Sequence, residues 1–224
     1  YTLTEAKRII VPEIETANRI FQELPAKACA DDLAVARLVL HPAYLAKSYF
    51  PKLLLDQVGL SSVGSRTRRI QPRRQTQKKA PPEMETTELF VSGTRAAMGN
   101  FPAFARSLNE QMPVAEQFAR IETFAAMTPA DRLHLEGTNV GHVFEVGLHL
   151  PPEGDASDVR ALFADYAKDC GFRVNGEFEF EAGRLLFVAV EGEAAALENL
   201  AQFTLTRVVR PMPHLRAARP VTRS

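Results

Sequence analysis

The spacing of apolar residues in the first half of the chain alternates between helical and strand-like periods. Apolar residues recur every three or four positions from Thr4 to Leu24, which predicts an amphipathic helix that Pro25 ends. The segment Leu33–Leu40 is strand-like and stops at His41-Pro42, since proline removes a ladder donor. We predict that a helix, two strands, a second helix and a fourth strand follow, over residues 44–58, 61–70, 88–92, 95–110 and 120–126. The helix over 44–58 is expected to be kinked or to start late at Pro51.

The second half repeats this order with clearer boundaries. A strand over 143–150 is closed by two prolines, and Asp155 and Ser157 offer N-caps for the next helix, which Gly171 ends. Ala182-Gly183 is a plausible short turn between two strands. We predict that these two strands, a helix and a last strand occupy residues 172–180, 184–190, 193–202 and 203–209.

Each half therefore predicts the order β-α-β-β-α-β, the ferredoxin-like arrangement in which four antiparallel strands carry two helices on one face. We expect an α+β protein with an N-terminal helix (1–30), a first unit (31–136), a second unit (137–210) and an extended C-terminal tail (211–224). Local matches such as Leu89-Phe90-Val91 beside Leu186-Phe187-Val188 are expected either from a duplication or from any two units of this fold.

Composition narrows the range of functions. The 224 residues suit two small domains better than one, and Lys+Arg equals Asp+Glu at 27 each, so overall charge indicates neither nucleic acid nor membrane as partner. Cys29 and Cys170 have no CxxC spacing, which argues against a disulfide framework or a zinc site. With no apolar run long enough to cross a bilayer, we expect a soluble, cytoplasmic protein.

Candidate catalytic and metal-binding residues are few. The spacings of His134, His142 and His149 match no known metal-ligand loop. The glycine-rich segment 137–142 lacks the lysine of a phosphate-binding loop, which favours a linker between the two halves. Neither a Gly-x-Ser-x-Gly elbow nor a recognisable Ser, His and acid arrangement occurs. We therefore predict no catalytic residue, no metal and no cofactor for this chain.

A basic loop is a candidate binding site for polyanions. Seven of the fourteen residues from Arg66 to Lys79 are basic, namely Arg66, Arg68, Arg69, Arg73, Arg74, Lys78 and Lys79. Such a loop suits phosphate contacts, but its composition is more typical of a solvated hairpin extension. The fold is also that of RRM domains, so an RRM-like nucleic-acid-binding module is one alternative, although residues 183–190 offer a single Phe among aliphatic residues. A scaffold or partner-binding module is another.

The C-terminal segment is basic and rich in proline. Its prolines prevent a helix and favour an extended chain after the last strand. An extended segment of this kind is suited to lie in a groove and add a strand to a partner's edge, while a plain linker would have the same composition.

Several strings in the chain resemble the region ahead of the catalytic domain in a group of bacterial subtilisin-like serine proteases. They are residues 41–51 (HPAYLAKSYFP), 58–60 with 63–66, 87–93 (TELFVSG) and 207–216 (RVVRPMPHLR). The proteases of this group are typically paired with an AAA ATPase in anti-phage defence. The resemblance implies a parent serine endopeptidase, a subtilase catalytic domain as partner and possible contact with an AAA ATPase.

The resemblance also implies a role for the tail. Subtilisin propeptides are ferredoxin-like domains whose C-terminal segment runs substrate-like into the protease active site, which makes the second unit propeptide-like. The expected groove-binding residues are Pro211, Met212, Pro213, His214, Leu215, Arg216, Arg219 and Pro220. The chain lacks the His-Gly-Thr and Gly-Thr-Ser motifs of the catalytic domain, so we expect an intramolecular chaperone and inhibitor rather than the protease itself.

Overall fold

The computed structural model describes residues 2–44, 49–73, 81–135 and 141–212. Within them, the helices are α1 (Leu3–Glu23), α2 (Lys52–Val58), α3 (Arg95–Ser107), α4 (Pro113–Ala119), α5 (Pro129–Arg132), α6 (Ala156–Asp169) and α7 (Leu197–Leu200). The strands are β1 (Leu33–Leu40), β2 (Ser61–Ile70), β3 (Met84–Thr94), β4 (Ile121–Ala126), β5 (Val143–His149), β6 (Arg173–Ala182), β7 (Leu185–Glu191) and β8 (Thr206–Pro211). They form two four-stranded antiparallel sheets with the strand orders β2-β3-β1-β4 and β6-β7-β5-β8. The predicted α+β fold with an N-terminal helix and two ferredoxin-like units is confirmed.

In the first unit, the helices cover one face of the sheet. Alternate residues of β1, among them Ala34 and Leu38, point into a core that also contains Ile14 of α1 and Phe101 of α3. Helix α1 lies against β4, where a carboxylate oxygen of Glu13 accepts the backbone N–H of Phe124 at 2.9 Å. This bond satisfies one of the donors that an outer strand would otherwise leave unpaired.

In the second unit, α6 packs on the corresponding face. Val159 and Phe163 share a core with Val146 and Leu148 of β5. The helix begins after Asp155, as predicted, and the Asp155 carboxylate accepts the N–H of Ser157 at 2.8 Å. Hydrogen bonds from the backbone and the side chain of Ser157 lower the pKa of Asp155. It ends before Gly171, whose φ of 83° is in the left-handed region that favours glycine.

Several predicted elements differ from the structure. The strand expected over 88–92 is the longer β3, from Met84 to Thr94. The helix expected over 44–58, kinked or starting late at Pro51, starts at Lys52 with Pro51 at its N-cap position. The helix expected over 193–202 is a 3₁₀ turn (Ala194–Ala196) followed by the single turn of α7. The turn between β6 and β7 lies at residues 183–184, one residue later than expected, and β8 runs over 206–211 rather than 203–209. Helix α4 was not predicted.

The two units are joined by buried polar contacts and a shared core. The fully buried guanidinium of Arg132 donates to the carbonyl oxygens of Ala201 (2.6 Å) and Thr204 (3.2 Å), and burial lowers the pKa of Arg132 to about 10. Leu133 forms a parallel bridge with Val209 on the outer side of β8. The core of the second unit also includes residues from the first unit and from the segment just before it, namely Ala28, Ala30, Val35, Val63, Phe90 and Met127.

Candidate partner-binding surface

The face of the second sheet that α6 does not cover carries exposed aromatic side chains. Phe180 of β6 pairs in register with Phe187 of β7, and their rings stack at a centroid distance of 4.8 Å with an interplanar angle of 9°. Phe178 and Phe180 are 55% and 52% exposed. These three residues and Met212 surround one shallow pocket, and we call them the aromatic face. Exposed apolar patches of this kind often mark a site that binds another protein or a ligand.

Gly147 makes the flat arrangement of this face possible. It is the residue of β5 that lies between Phe187 on β7 and Val208 on β8. A Cβ at this position would lie 2.9 Å from Cγ1 of Val208 and 3.0 Å from Cε1 of Phe187, closer than side chains pack. The glycine therefore allows the Phe187 ring to lie close over β5, and Phe180 then stacks on the outer side of the sheet.

The segment predicted to bind a protease groove begins beside the aromatic face. Pro211 is the last residue of β8, where it pairs with Phe144, so it belongs to the sheet and not to a free tail. The N–H of Met212 continues the pairing by donating to the carbonyl oxygen of Val143 at 3.1 Å. The other predicted groove-binding residues lie outside the described part of the chain and stay predictions: Pro213, His214, Leu215, Arg216, Arg219 and Pro220.

The described residues of the basic loop are engaged with carboxylates. Arg66 and Arg68 both contact Glu88, whose side chain is completely buried between them. Arg69 lies 3.9 Å from Glu83. Arg73 contacts Glu13 at 2.6 Å and also binds Glu122. Polyanion binding by this loop stays a prediction, and Arg74, Lys78 and Lys79 lie outside the described residues.

Where the sheets meet, an aromatic ring of the first unit is covered by basic side chains of the second. The Arg207 guanidinium lies 3.7 Å from the centroid of Phe90, and burial together with the charge of Arg66 lowers the pKa of Arg207 to about 10. The His149 ring lies 5.3 Å from Phe90, with Nδ1 3.3 Å from the carbonyl oxygen of Val63. Burial lowers the pKa of His149 to about 3, so this imidazole is neutral at physiological pH.

Asp165 and Asp169 lie on the solvated side of α6. Their carboxylates approach Nζ of Lys27 at 3.1 and 2.7 Å, and these contacts raise the pKa of Lys27. The pair therefore adds an exposed contact between the units, and no catalytic arrangement follows from it. Cys29 and Cys170 are free thiols whose pKa values burial raises, which makes both poor nucleophiles.

The aromatic residues of β6 were missed by sequence reasoning. The expectation of few stacking aromatics rests on residues 183–190, which contain the single Phe187. The missed signal is the alternation Glu177-Phe178-Glu179-Phe180, which puts both phenylalanines on one side of a strand. Pairing between β6 and β7 then brings Phe180 onto Phe187.

Comparison of the chain with protein-family models, with curated proteins and with solved structures gives no match. Among the described residues, no group of three or more His, Cys, Asp or Glu side chains is placed to hold a metal ion. No helix in that part of the chain has the length and apolarity to cross a bilayer. The aromatic face is the candidate binding surface in the described part of the chain.

Proposed function

We propose that the chain is a non-catalytic regulatory module of a subtilisin-like serine protease, cytoplasmic like its parent. It binds the catalytic domain through the aromatic face of the second sheet and directs the segment after β8 toward the active-site groove. The resemblance of residues 207–216 and of the strings before them to subtilase N-terminal regions supplies the identity of the partner. The AAA ATPase partner that the resemblance implies stays a prediction without an assigned surface.

The observation that carries the proposal is the exposure of Phe178 and Phe180 next to the start of the tail. Binding energy at protein interfaces is concentrated in a few residues, often aromatic, that become fully desolvated in the complex. Phe178 and Phe180 are each about half exposed on a rigid sheet, so a partner gains their burial without ordering a loop.

The position of Met212 connects the two parts of the proposed binding mode. Met212 is held to β5 through Val143 and lies at the edge of the aromatic face. A partner docked on this face is therefore close to the first residue of the tail. Because the tail is tethered, its effective concentration at the partner's groove reaches the millimolar range, so modest intrinsic affinity is enough to occlude the groove.

Inhibition of the catalytic domain encoded with this chain tests the proposal. The intact chain should inhibit peptide hydrolysis, and the variant F178A/F180A should inhibit about tenfold less well because two aromatic anchors are lost. A chain ending at Met212 should dock on the protease but lose inhibition. Phe50→Ala is the matched control, since Phe50 is an exposed phenylalanine of the first unit. Equal inhibition by the intact chain and F178A/F180A would contradict docking through this face.

Nucleic-acid binding is a second candidate, favoured by one specific observation. The stacked pair Phe180 and Phe187 lies on the second and third strands of the unit, beside a pocket of about 670 Å³ that Arg66, Arg207 and Arg210 line. Aromatic rings next to arginines suit single-stranded bases and phosphates. Arg66 and Arg210 are, however, already paired with Glu88 and Glu145.

Fluorescence anisotropy with a labelled single-stranded oligouridine separates the two candidates. Nucleic-acid binding predicts that affinity falls steeply between about 50 and about 200 mM salt, and that Phe180→Ala removes it. An oligonucleotide that does not bind even at the lower salt concentration would exclude this candidate and leave the protease proposal unaffected.

A further inference from the structure

The pocket beside the stacked pair Phe180 and Phe187 lies where the two sheets meet, and its polar lining is basic. This lining consists of Arg66 of β2, Arg207 and Arg210 of β8, and His134. No carboxylate lines the pocket among the described residues. Phe187 and Met212 are part of its apolar wall, and its volume of about 670 Å³ is within the range of small-molecule pockets.

Arg207 is a half-buried cation without a hydrogen-bonded partner. Its guanidinium lies over the ring of Phe90, and within the described residues it makes neither a hydrogen bond nor an ion pair. Buried charges in proteins are normally paired, and burial here lowers the pKa of Arg207 to about 10. The guanidinium nitrogens are not sealed from solvent, so they are accessible to a ligand in the pocket.

Arg66 brings a second guanidinium to the same place. Its guanidinium carbon lies 5.6 Å from the centroid of Phe90, and its positive charge acts on Arg207. Glu88 is shared between Arg66 and Arg68. A carboxylate accepts about four hydrogen bonds, whereas two guanidinium groups carry about ten N–H donors, so donors remain for a ligand.

The charges around the Phe90 ring do not balance. Glu88 is the carboxylate that acts on Arg207, and it also neutralises Arg66 and Arg68. Three positive charges therefore face one negative charge, in a chain whose acidic and basic residues are equal in number. Arg210 adds nothing to this excess, because it is paired with Glu145. The excess of two positive charges calls for an anion.

We propose that the pocket binds a phosphate monoester with a flat, apolar body. The phosphate accepts N–H donors of Arg207 and Arg66, and the body packs on Phe187 and Met212. A monoester above its second pKa of about 6 carries two negative charges, which match the two unpaired positive charges, whereas a carboxylate or a phosphodiester brings one. A nucleoside monophosphate and an aryl phosphate share this chemistry.

Calorimetric titration of the chain at about pH 7.5, where monoesters are dianions, tests the site. The probes are uridine 5′-monophosphate and phenyl phosphate, and their control ligands are uridine and phenyl sulfate. At least one monoester should bind and uridine should not. Phenyl sulfate carries one negative charge and should bind about tenfold more weakly than phenyl phosphate. Binding of one monoester alone identifies a nucleotide site or an aryl phosphate site.

Two results of this titration would overturn the proposal. One is that neither monoester binds at millimolar concentration, and the other is that phenyl sulfate binds measurably and as tightly as phenyl phosphate. A 5′-hydroxyl oligouridine, whose phosphates are all diesters, separates the site from the nucleic-acid candidate. If it binds more tightly than uridine 5′-monophosphate, the pocket is a nucleic-acid site instead. The titration uses no protease, so its outcome is independent of docking through the aromatic face.

Variants of Arg207 separate a built site from general attraction to positive charge. Arg207→Gln should weaken monoester binding at least about tenfold, because a charge-assisted contact in a partly desolvated site is lost. Circular dichroism shows whether this variant folds. Arg8→Gln, at an exposed arginine of α1, is the matched control and should leave binding unchanged.

Arg207→Lys keeps the test valid if Arg207→Gln does not fold. Lysine retains the charge and the apolar stem over Phe90 but not the planar pair of N–H donors, so binding should weaken about fivefold. Wild-type affinity in both folded variants, or in Arg207→Lys alone when Arg207→Gln does not fold, would show that Arg207 does not bind the phosphate and would overturn the proposal.

Discussion

The faces of the two sheets that the helices leave uncovered have the same topology but different surroundings. In the first sheet, Phe90 is completely buried beneath Arg207 and His149 of the second unit. In the second sheet, Phe187 occupies the corresponding position on β7, and Phe180 of the edge strand β6 stacks on it and remains half exposed. One face is therefore used inside the molecule to join the units, and the other is available to a partner.

The comparison shows how a repeated fold acquires two roles by changing a few side chains. The first face buries the charge of Glu88 between Arg66 and Arg68, and this charged cluster closes over Phe90. The second face carries phenylalanines and a glycine in the positions around its centre. Paired charges that cover a buried ring suit a permanent internal contact, whereas half-exposed rings suit association with a separate surface.

Phe90→Ala should have the largest effect on stability. The ring packs against both units and is fully buried, so its removal should lower the free energy of unfolding by about 3 to 5 kcal/mol. Urea unfolding monitored by circular dichroism measures this loss. A loss below that of a typical surface substitution would show that the first face does not hold the units together.

Glu88→Gln should have the second largest effect. The side chain is inaccessible to water and neutralises two arginines, so the change should cost about 2 to 3 kcal/mol, less than for a fully buried cluster because Arg66 and Arg68 are partly solvated. Glu145→Gln is the matched control on the second face, where one arginine is involved, and should cost about 1 kcal/mol. An equal loss of free energy of unfolding in both variants would show that the charged groups of the two faces do not differ in their effect on stability.

His149 should make the junction sensitive to acid. Its pKa is lowered to about 3 in the folded chain, from an ordinary value of about 6.5, so between these values the unfolded chain binds a proton that the folded chain does not. The free energy of unfolding therefore keeps its full value above about pH 6.5, and this group lowers it by about 1.4 kcal/mol for each pH unit below that value. Urea unfolding across this pH window gives the free energy of unfolding at each pH, which should change less steeply with pH in His149→Gln than in the wild-type chain. His142→Gln, at an exposed site, should keep the wild-type dependence on pH.

Phe180→Ala should have the smallest effect on the isolated chain. Half of the ring is already in water, so the free energy of unfolding should change by about 0.5 kcal/mol or less, whereas the proposed function expects the same substitution to weaken protease inhibition. Phe180→Ala and Phe90→Ala, measured in the same unfolding assay, compare the same substitution on the two faces. A large loss of stability at Phe180 would mean that this residue is structural and would contradict the partner-binding role.

The order of the elements along the chain and many of their boundaries could be predicted because the local signals are strong. Residues 33–40 and 61–70 have strand bounds as predicted, and Gly59 and Gly171 have the left-handed backbone expected after a helix. Helix α4 was missed because a polar turn separates it from α3 and its seven residues hold less than two full turns of periodic pattern. Its burial against the first core, and not its sequence period, stabilises it.

The aromatic face and the junction could be predicted only in part. Periodicity places Phe178 and Phe180 on one side of β6, but their position beside Phe187 depends on pairing between strands, which local sequence does not determine. The burial of Phe90 depends on Arg207, more than a hundred residues later in the chain. Contacts between distant segments of this kind leave no periodic signal in either one.

The bonds that join the units also impose an order of events during synthesis. Arg132 is made 69 residues before Ala201 and 72 before Thr204, whose carbonyl oxygens accept its hydrogen bonds. At translation rates of about 5 to 20 residues per second, the wait is about 3 to 14 seconds. The four strands of the first sheet are complete by Ala126, so Phe90 and Val63 stay uncovered on the nascent chain during this interval. The junction therefore forms only several seconds after the first sheet is complete, and the side of that sheet that carries Phe90 is exposed to water until then.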